Sequence, residues 1–281
     1  MSDQDISALR ASIDALDDKI IALLAERSGI VRRVGMTKKA RQEAGRSFIR
    51  SGREAAIVRR VFQAFSDNSF PPHAAAHLWR IIIAASLSLE SPMTVTAFAT
   101  EKQQDIFWNA REYFGNFTPI TRQSTSRRVV GEIMDEKAEV GALPMPDSSP
   151  EGAWWMKLPD DVKIFACVPF ILTGDTPLSA LLIARTHPEP TGDDVSLVSI
   201  ETAIDVSQSR LKAVFDKHNL AVQWLSAETF PSNHRVHLVE IKSYTTHADD
   251  VFASLQREID TSLIAIRHLG GYAVPIRYEA R

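Results

Sequence analysis

The sequence has few of the features that mark secreted or membrane proteins. Its 281 residues include one cysteine, Cys167, which excludes an intramolecular disulfide and fits a reducing compartment. No stretch approaches the ~18 consecutive apolar residues of a transmembrane helix. The opening residues, MSDQDISALR, lack the basic start and the apolar run of a signal peptide. We therefore expect a cytoplasmic protein that does not bind a membrane.

A strong excess of one charge is also missing. The chain has 32 basic and 35 acidic residues and a formal net charge of -3. Proteins that hold nucleic acid need a basic surface, so no nucleic-acid partner is expected. What is present is an ordinary globular mixture, 44% hydrophobic and 24% charged, on a chain long enough for two or three domains.

The hydrophobic pattern divides the chain into domains at residues 1–92, 93–192 and 193–281. The first domain is predicted to be all helical, with helices at 6–39, 53–65 and 74–90 and a loop at 41–52. The third helix is apolar nearly all round, so we expect it to be well buried.

The remaining two domains are predicted to contain sheets. In the second, short β-rich runs alternate with helical ones, which indicates an α/β layer with a partly parallel sheet. Residues 187–194, HPEPTGDD, are predicted to be a linker. The third has the order βαββαβ, the ferredoxin-like plan of small ligand-sensing modules.

The first helix has an apolar seam that one arginine interrupts. The seam residues are Ile6, Leu9, Ile13, Leu16, Ile20, Leu23, Ile30 and Val34. Arg27 occupies the position between Leu23 and Ile30. A buried, unpaired charge costs several kcal/mol, so an anion should meet this guanidinium. A carboxylate of the same protein and an anionic ligand both remain open.

Two further cations lie on the same stripe of this helix. With the 3.5-residue period of a coiled coil, Arg10, Arg27 and Lys38 lie within roughly 50° of one another around the axis. They could be solvated charges whose stems lie along the seam. Alternatively, Arg27 and Lys38, ~16 Å apart along the axis, could hold one small molecule. Arg10 lies ~25 Å from Arg27 and could reach that molecule only from an antiparallel second copy, which predicts a symmetric dimer with two shared sites.

The other helices carry polar groups in unusual places. Arg53 and Glu54 open the second helix, where backbone N–H groups are free. Ser86 and Glu90 are four residues apart and therefore share one face of the third helix. Simpler interpretations exist for three of them: Glu54 as a favourable first-turn charge, Ser86 bonded to its own backbone, and Glu90 as a solvated helix end.

These motifs resemble a known family. The run LRASIDALDDKIIALLAERSGIVRRVGMTK, then REAAIV, then LWRIIIAASLSLE, makes residues 5–92 similar to the all-helical chorismate mutases. The resemblance is greatest to the N-terminal domain of bifunctional chorismate mutase–prephenate dehydratases. It implies an intertwined helical dimer and the conversion of chorismate to prephenate. That reaction is an intramolecular pericyclic rearrangement, so no cofactor or metal is implied.

The resemblance also implies roles for the polar residues. Arg27 and Arg10 of the partner subunit would bind the two carboxylates of chorismate. Lys38 would face the ether oxygen, with Glu90 opposite it.

Three more roles follow from the second and third helices. Arg53 would support a carboxylate, Glu54 would accept a hydrogen bond from the ring hydroxyl, and Ser86 would lie beside the carboxylates. Arg50 departs from the family pattern, in which this position is frequently acidic.

The rest of the chain resembles later parts of the same bifunctional enzymes. In residues 94–186, VGALPMPDSSPEGAWW is similar to a shortened prephenate dehydratase, but PLSALLIAR lacks the Thr-Arg-Phe motif of that family. In residues 194–277, IRHLGGYAVP resembles the last strand of the regulatory ACT domain. SQSRL (207–211) and SAETFP (226–231) replace that domain's phenylalanine-binding motifs.

The leading hypothesis is a chorismate mutase with a non-catalytic dehydratase-like and ACT-like tail. A bifunctional mutase–dehydratase is the second hypothesis. A non-catalytic helical binding protein is the third, and an isochorismate pyruvate-lyase shares the helical fold.

Overall fold

The N-terminal domain consists of three helices. The computed structural model describes residues 3–40, 49–67 and 70–279, without the side chains of residues 3, 4 and 38–40. The helices are α1 (Asp3–Ala40), α2 (Ser51–Ala64) and α3 (Pro72–Glu90). All three predicted helices are confirmed, with ends shifted by about one turn at most. The loop expected at 41–52 falls largely on residues 41–48, outside the described residues, and α2 already begins at Ser51.

The seam of α1 faces solvent in the single chain. Leu9, Ile13, Leu16 and Ile20 are each 55–56% exposed. The helix contacts α3 nearer its C-terminal end, where Gly35 is buried. Most of an apolar stripe on a long helix is therefore left without a partner element among the described residues.

Helix α3 is less buried than its sequence predicts. Its side facing α2 and the next helix is covered, with Ala76 and Ala84 fully buried. Leu78, Ile81 and Leu89 on its other side are 41–51% exposed. The expectation of a well-buried helix is wrong for this face because one copy of the chain supplies neighbours on one side of α3.

The second domain is an α/β layer, as predicted. Its elements are β1 (Val95–Phe98), α4 (Asp105–Phe114), β2 (Ile120–Gln123), α5 (Ser126–Met134), β3 (Val140–Pro144), a short 3-10 helix (Gly152–Lys157), β4 (Lys163–Val168), β5 (Ile171–Thr173) and β6 (Ala180–Ala184). Strand β1 pairs in parallel with β2 and β3, whereas β6 is antiparallel to β3 and β4. The run 162–172, expected as one strand, divides into β4 and β5 around Pro169, which has no N–H for a ladder hydrogen bond.

The third domain has the predicted ferredoxin-like order. Its elements are β7 (Asp194–Ala203), α6 (Gln208–Lys217), β8 (Val222–Phe230), β9 (His234–Ile241), α7 (Asp250–Ile259), β10 (Leu263–Ala273) and β11 (Ile276–Tyr278). The four long strands lie antiparallel in the order β10-β7-β9-β8. One face of this sheet packs on both helices through a core that includes Val198, Phe215, Val239 and Leu255.

The two regions predicted to be the second and third domains share one sheet. Nine strands run in the order β2-β1-β3-β6-β4-β10-β7-β9-β8, and β11 pairs separately with β5. The two halves meet where Gly270 of β10 pairs in parallel with Ile164 of β4. A division near residue 192 stays a prediction, since the sheet continues across it. None of the helices in the described part of the chain is both long and apolar enough to cross a bilayer.

Candidate active site

A cavity of about 460 Å³ lies between the three N-terminal helices. This volume is within the range of small-molecule sites. The lining residues come from all three helices and from the turn before α2: Leu23, Glu26, Arg27, Ile30, Val31, Val34, Arg50, Arg53, Glu54, Ile57, Ile83, Ser86, Leu87 and Glu90. Five of the seven residues predicted from the sequence are therefore brought together in one chain.

Arg27 points from the seam of α1 to Ser86 of α3. Its Nη1 donates a hydrogen bond to the Ser86 Oγ, which in turn donates to the Ile82 carbonyl at 2.7 Å. The simpler interpretation of Ser86 is thus confirmed, and the same hydroxyl also orients the arginine. Burial, and then the charge of Arg53, lower the pKa of Arg27. Among the described residues, no carboxylate forms an ion pair with Arg27.

Glu54 is a buried carboxylate at the start of α2. Its Oε1 accepts from the backbone N–H of Arg50 at 3.2 Å, which satisfies one free donor of the helix N-terminus. Its Oε2 lies 2.8 Å from the Nη2 of Arg80 on α3, and both side chains are 6–7% exposed. Glu54 is therefore held on two sides while it lines the cavity.

Arg80 was not among the residues predicted from the sequence. Its guanidinium carbon lies 4.2 Å from the centre of the Tyr113 ring on α4, so the ion pair is enclosed between helices and the second domain. Burial opposes the charge of Arg80, but Tyr113 and Glu54 together raise its pKa. The signal was present in LWRIII, where an arginine interrupts an apolar helix just as Arg27 interrupts the seam.

Arg53 and Glu90 are the other two predicted residues that line the cavity. Arg53 is exposed toward the cavity, where it adds a second positive charge near Arg27. Glu90 is half-buried at the end of α3. Helix α1 lies close to Glu90 at this point: a Cβ added at Gly35 would lie 3.1 Å from the Cα of Glu90. The contact places the end of α3 against the stretch of α1 just before Lys38.

The last two predicted residues have different outcomes. Arg10 is exposed and is not among the residues that line the cavity. This agrees with the ~25 Å separation along α1 that helical geometry requires. The side chain of Lys38 lies outside the described residues, so its predicted role stays a prediction.

The predicted linker packs against α2. Arg50 Nε lies 2.5 Å from Glu189 Oε1, and a Cβ at Gly52 would lie 2.7 Å from the Cβ of Glu189. About two turns further along α2, Arg59 donates to the Thr191 hydroxyl and to the Asp193 carbonyl, both at 2.8 Å. The segment therefore connects the domains and also holds the helix that carries Arg53 and Glu54.

Comparisons with known proteins identify relatives of the helical region. Residues 9–91 match the family described as chorismate mutase type II. The bifunctional chorismate mutase/prephenate dehydratase of Aquifex aeolicus is 32% identical over 168 residues, which cover 57% of this chain and 45% of the relative. The Pseudomonas aeruginosa protein of the same name is 30% identical over 158 residues, which cover 54% of this chain and 42% of the relative.

The chain thus spans less than half the length of these relatives. Residues 1–92 cannot supply 57% of the chain, so the first alignment also includes part of the α/β region. Among solved structures, GqqA, described as a novel type of quorum quenching acylase, has a TM-score of 0.50 at 12% identity and covers 64% of this chain and 94% of that chain. That likeness concerns the fold alone. Residues 9–91 are similar to chorismate mutase type II domains.

Proposed function

We propose that this chain, with its chorismate mutase type II domain, converts chorismate to prephenate in the biosynthesis of phenylalanine and tyrosine. The observation that carries the proposal is Arg27. Its guanidinium lines a cavity of suitable size, has no acidic partner among the described residues, and is oriented by Ser86. A site of this kind suits a substrate that brings its own carboxylates.

The rearrangement is intramolecular, so the protein must orient the substrate and stabilise developing charge. Arg27 binds one carboxylate of chorismate, with Ser86 and Arg53 beside it. Glu54 accepts a hydrogen bond from the ring hydroxyl. Lys38 and Glu90 face the ether oxygen, on which negative charge grows as the bond to carbon breaks.

A second copy of the chain completes each site. The exposed seam of α1 and the exposed face of α3 are apolar surfaces that a symmetric dimer would bury. In this arrangement Arg10 of the partner subunit reaches the second carboxylate. Each dimer then has two sites, both made by two chains.

The tail is assigned no dehydratase activity, because the late strand lacks the Thr-Arg-Phe motif. The bifunctional mutase–dehydratase is kept as the alternative, since both sequence relatives carry that name and their alignments extend past residue 92.

The test is incubation of the purified protein with chorismate and identification of the product. Prephenate is expected, whereas direct formation of phenylpyruvate would favour the bifunctional alternative. Arg27→Met should lose more than about tenfold in kcat/KM, a loss of over ~1.4 kcal/mol of transition-state stabilisation. Arg32→Met, on an exposed part of α1 outside the cavity lining, is the matched control. A wild-type protein that leaves chorismate unchanged would refute the proposal.

A further inference from the structure

Glu54 has an ionic partner on the side away from the cavity. Its Oε2 contacts Arg80 at 2.8 Å, and its Oε1 accepts from the Arg50 N–H at 3.2 Å. A carboxylate oxygen has more than one lone pair, so Glu54 can still accept a hydrogen bond from a ligand. Both of its oxygens are nevertheless fixed before a ligand arrives.

The surroundings of Glu54 contain other cations that could compete for it. The charged or titratable groups that face this region are Glu26 and Arg27 of α1, Arg50 and Arg53 at the start of α2, Arg80 and Glu90 of α3, and Tyr113 of α4. If Glu54 turned toward Arg53 or Arg27, it would neutralise a cation that the substrate carboxylates need. The contact with Arg80 holds Glu54 on the opposite side.

Arg80 is itself supported by the second domain. Its side chain is 7% exposed, and the guanidinium stacks on the ring of Tyr113. Tyr113 lies in the core of the α/β layer, in contact with the Phe114 ring at 4.9 Å between centroids. The position of Glu54 therefore depends on an aromatic ring outside the helical domain.

We propose that Arg80 is a positioning residue of the mutase site, which acts by fixing Glu54 and keeping it away from Arg27 and Arg53, and that Tyr113 supports it. The inference rests on the proposed mutase function. The α/β domain then helps to hold the geometry of the mutase site through Tyr113, although none of the described lining residues belongs to that domain. Arg80 sets the affinity for the substrate more than the rate of the bound substrate's rearrangement.

The test is a double-mutant cycle on the full chain with chorismate as substrate. Arg80→Met should lower kcat/KM at least tenfold, mainly through KM, and Arg80→Lys should recover part of the loss. In a Glu54→Gln background, the added Arg80→Met change should cost less than about threefold, because the residue through which Arg80 acts is already altered. Independent, multiplicative losses would overturn the proposal.

Folding of the single Arg80→Met variant is not required for the test. If that variant fails to fold, the Glu54→Gln/Arg80→Met protein, in which neither charge of the pair remains, is compared with Glu54→Gln alone. Equal kcat/KM values within about threefold support the proposal, and a tenfold difference overturns it.

Tyr113 is tested against its neighbour. Tyr113→Leu should raise KM several-fold, whereas Phe114→Leu, which alters the same core away from Arg80, should leave KM unchanged. Equal effects of the two variants would remove Tyr113 from the proposal. A wild-type chain without mutase activity would refute the proposed function, and this inference with it, whereas an active wild type with multiplicative losses would refute this inference alone.

Discussion

Gly270 lies directly against the backbone of Ile164, at the residue pair that joins strand β10 to strand β4. Its φ is +113°, and a Cβ at this position would lie 2.2 Å from the Ile164 carbonyl oxygen. Only glycine combines this backbone conformation with so close an approach. The continuity of the nine-stranded sheet therefore depends on the absence of one side chain.

Gly270→Ala is expected to destabilise the protein by about 2–4 kcal/mol, since backbone strain and a clash with Ile164 add together. Gly192→Ala is the matched control, because Gly192 also has a positive φ, of +90°, but has nothing within 4 Å of a Cβ. The free energies of unfolding in urea are compared. Equal losses would show that strain alone matters at the junction.

Arg59 joins α2 to the rest of the chain. It donates to the Thr191 hydroxyl and to the carbonyls of Asp193 and Val274, at 2.7–2.8 Å. Arg59→Met should lower the free energy of unfolding by about 1–3 kcal/mol, because the partly buried acceptors lose a charged donor. Arg60→Met, on the exposed side of the same helix, should change it by less than about 0.5 kcal/mol. A similar effect of both changes would contradict a joining role for Arg59.

Because Gly35 lies against Glu90, Gly35→Ala is expected to lower activity although it raises the helix propensity of α1. Alanine is a better helix former than glycine by about 1 kcal/mol, so Gly35→Ala and Gly29→Ala should both favour α1 locally. At Gly35 the new Cβ pushes against Glu90, and kcat/KM for chorismate should fall several-fold. At Gly29 nothing lies within 4 Å of a Cβ, and activity should be kept. Unchanged activity in Gly35→Ala would show that the close approach of the two helices does not shape the site.

The shared site predicts complementation between two inactive proteins. Arg10→Ala and Arg27→Ala should each be inactive alone. After subunit exchange of an equal mixture, about half of the dimers are mixed, and one of the two sites in each mixed dimer is intact. We expect about one quarter of wild-type activity to return, on the same statistical basis. Exchange demonstrated by mass spectrometry without recovered activity would place Arg10 outside the site.

His237 predicts a pH dependence of stability in the third domain. Burial, and then the charge of Arg235, lower its pKa from 6.5 to about 4 in the folded protein. The unfolded chain therefore binds the proton more readily, so stability is complete above about pH 6.5 and falls as the pH is lowered toward about 4. Neither ring nitrogen has a hydrogen-bond partner in the described structure.

The melting temperature of His237→Phe should therefore fall less between pH 7 and pH 5 than the melting temperature of the wild type does. Part of the dependence should remain, because burial and His247 also lower the pKa of His268 to about 4. His187→Phe, at an exposed position, is the control. Parallel curves for wild type and His237→Phe would contradict the assignment.

The sequence predicted the parts of the fold that depend on local patterns. Apolar spacing placed the three helices and the βαββαβ order, and a charge in an apolar seam indicated Arg27 as a site residue. These signals are visible in one segment at a time.

The remaining features depend on contacts between distant segments. Arg80 contacts Tyr113, which lies on α4 in another part of the fold. Gly270 approaches Ile164 of β4, which is more than one hundred residues away in the chain. The exposed face of α3 likewise reflects which neighbours are present in one copy. No periodicity in a single segment contains this information.

The burial of Arg27 has a consequence for the stability of the folded protein. Because burial and Arg53 lower its pKa, the charged guanidinium is less stable in the folded protein than in the unfolded chain. Burial of this charge therefore lowers the stability of the fold, and an anion bound beside Arg27 would offset that penalty. At this one side chain, resistance to unfolding and the proposed capacity to bind an anion are opposed, so selection for stability alone would favour replacing the arginine with an uncharged residue.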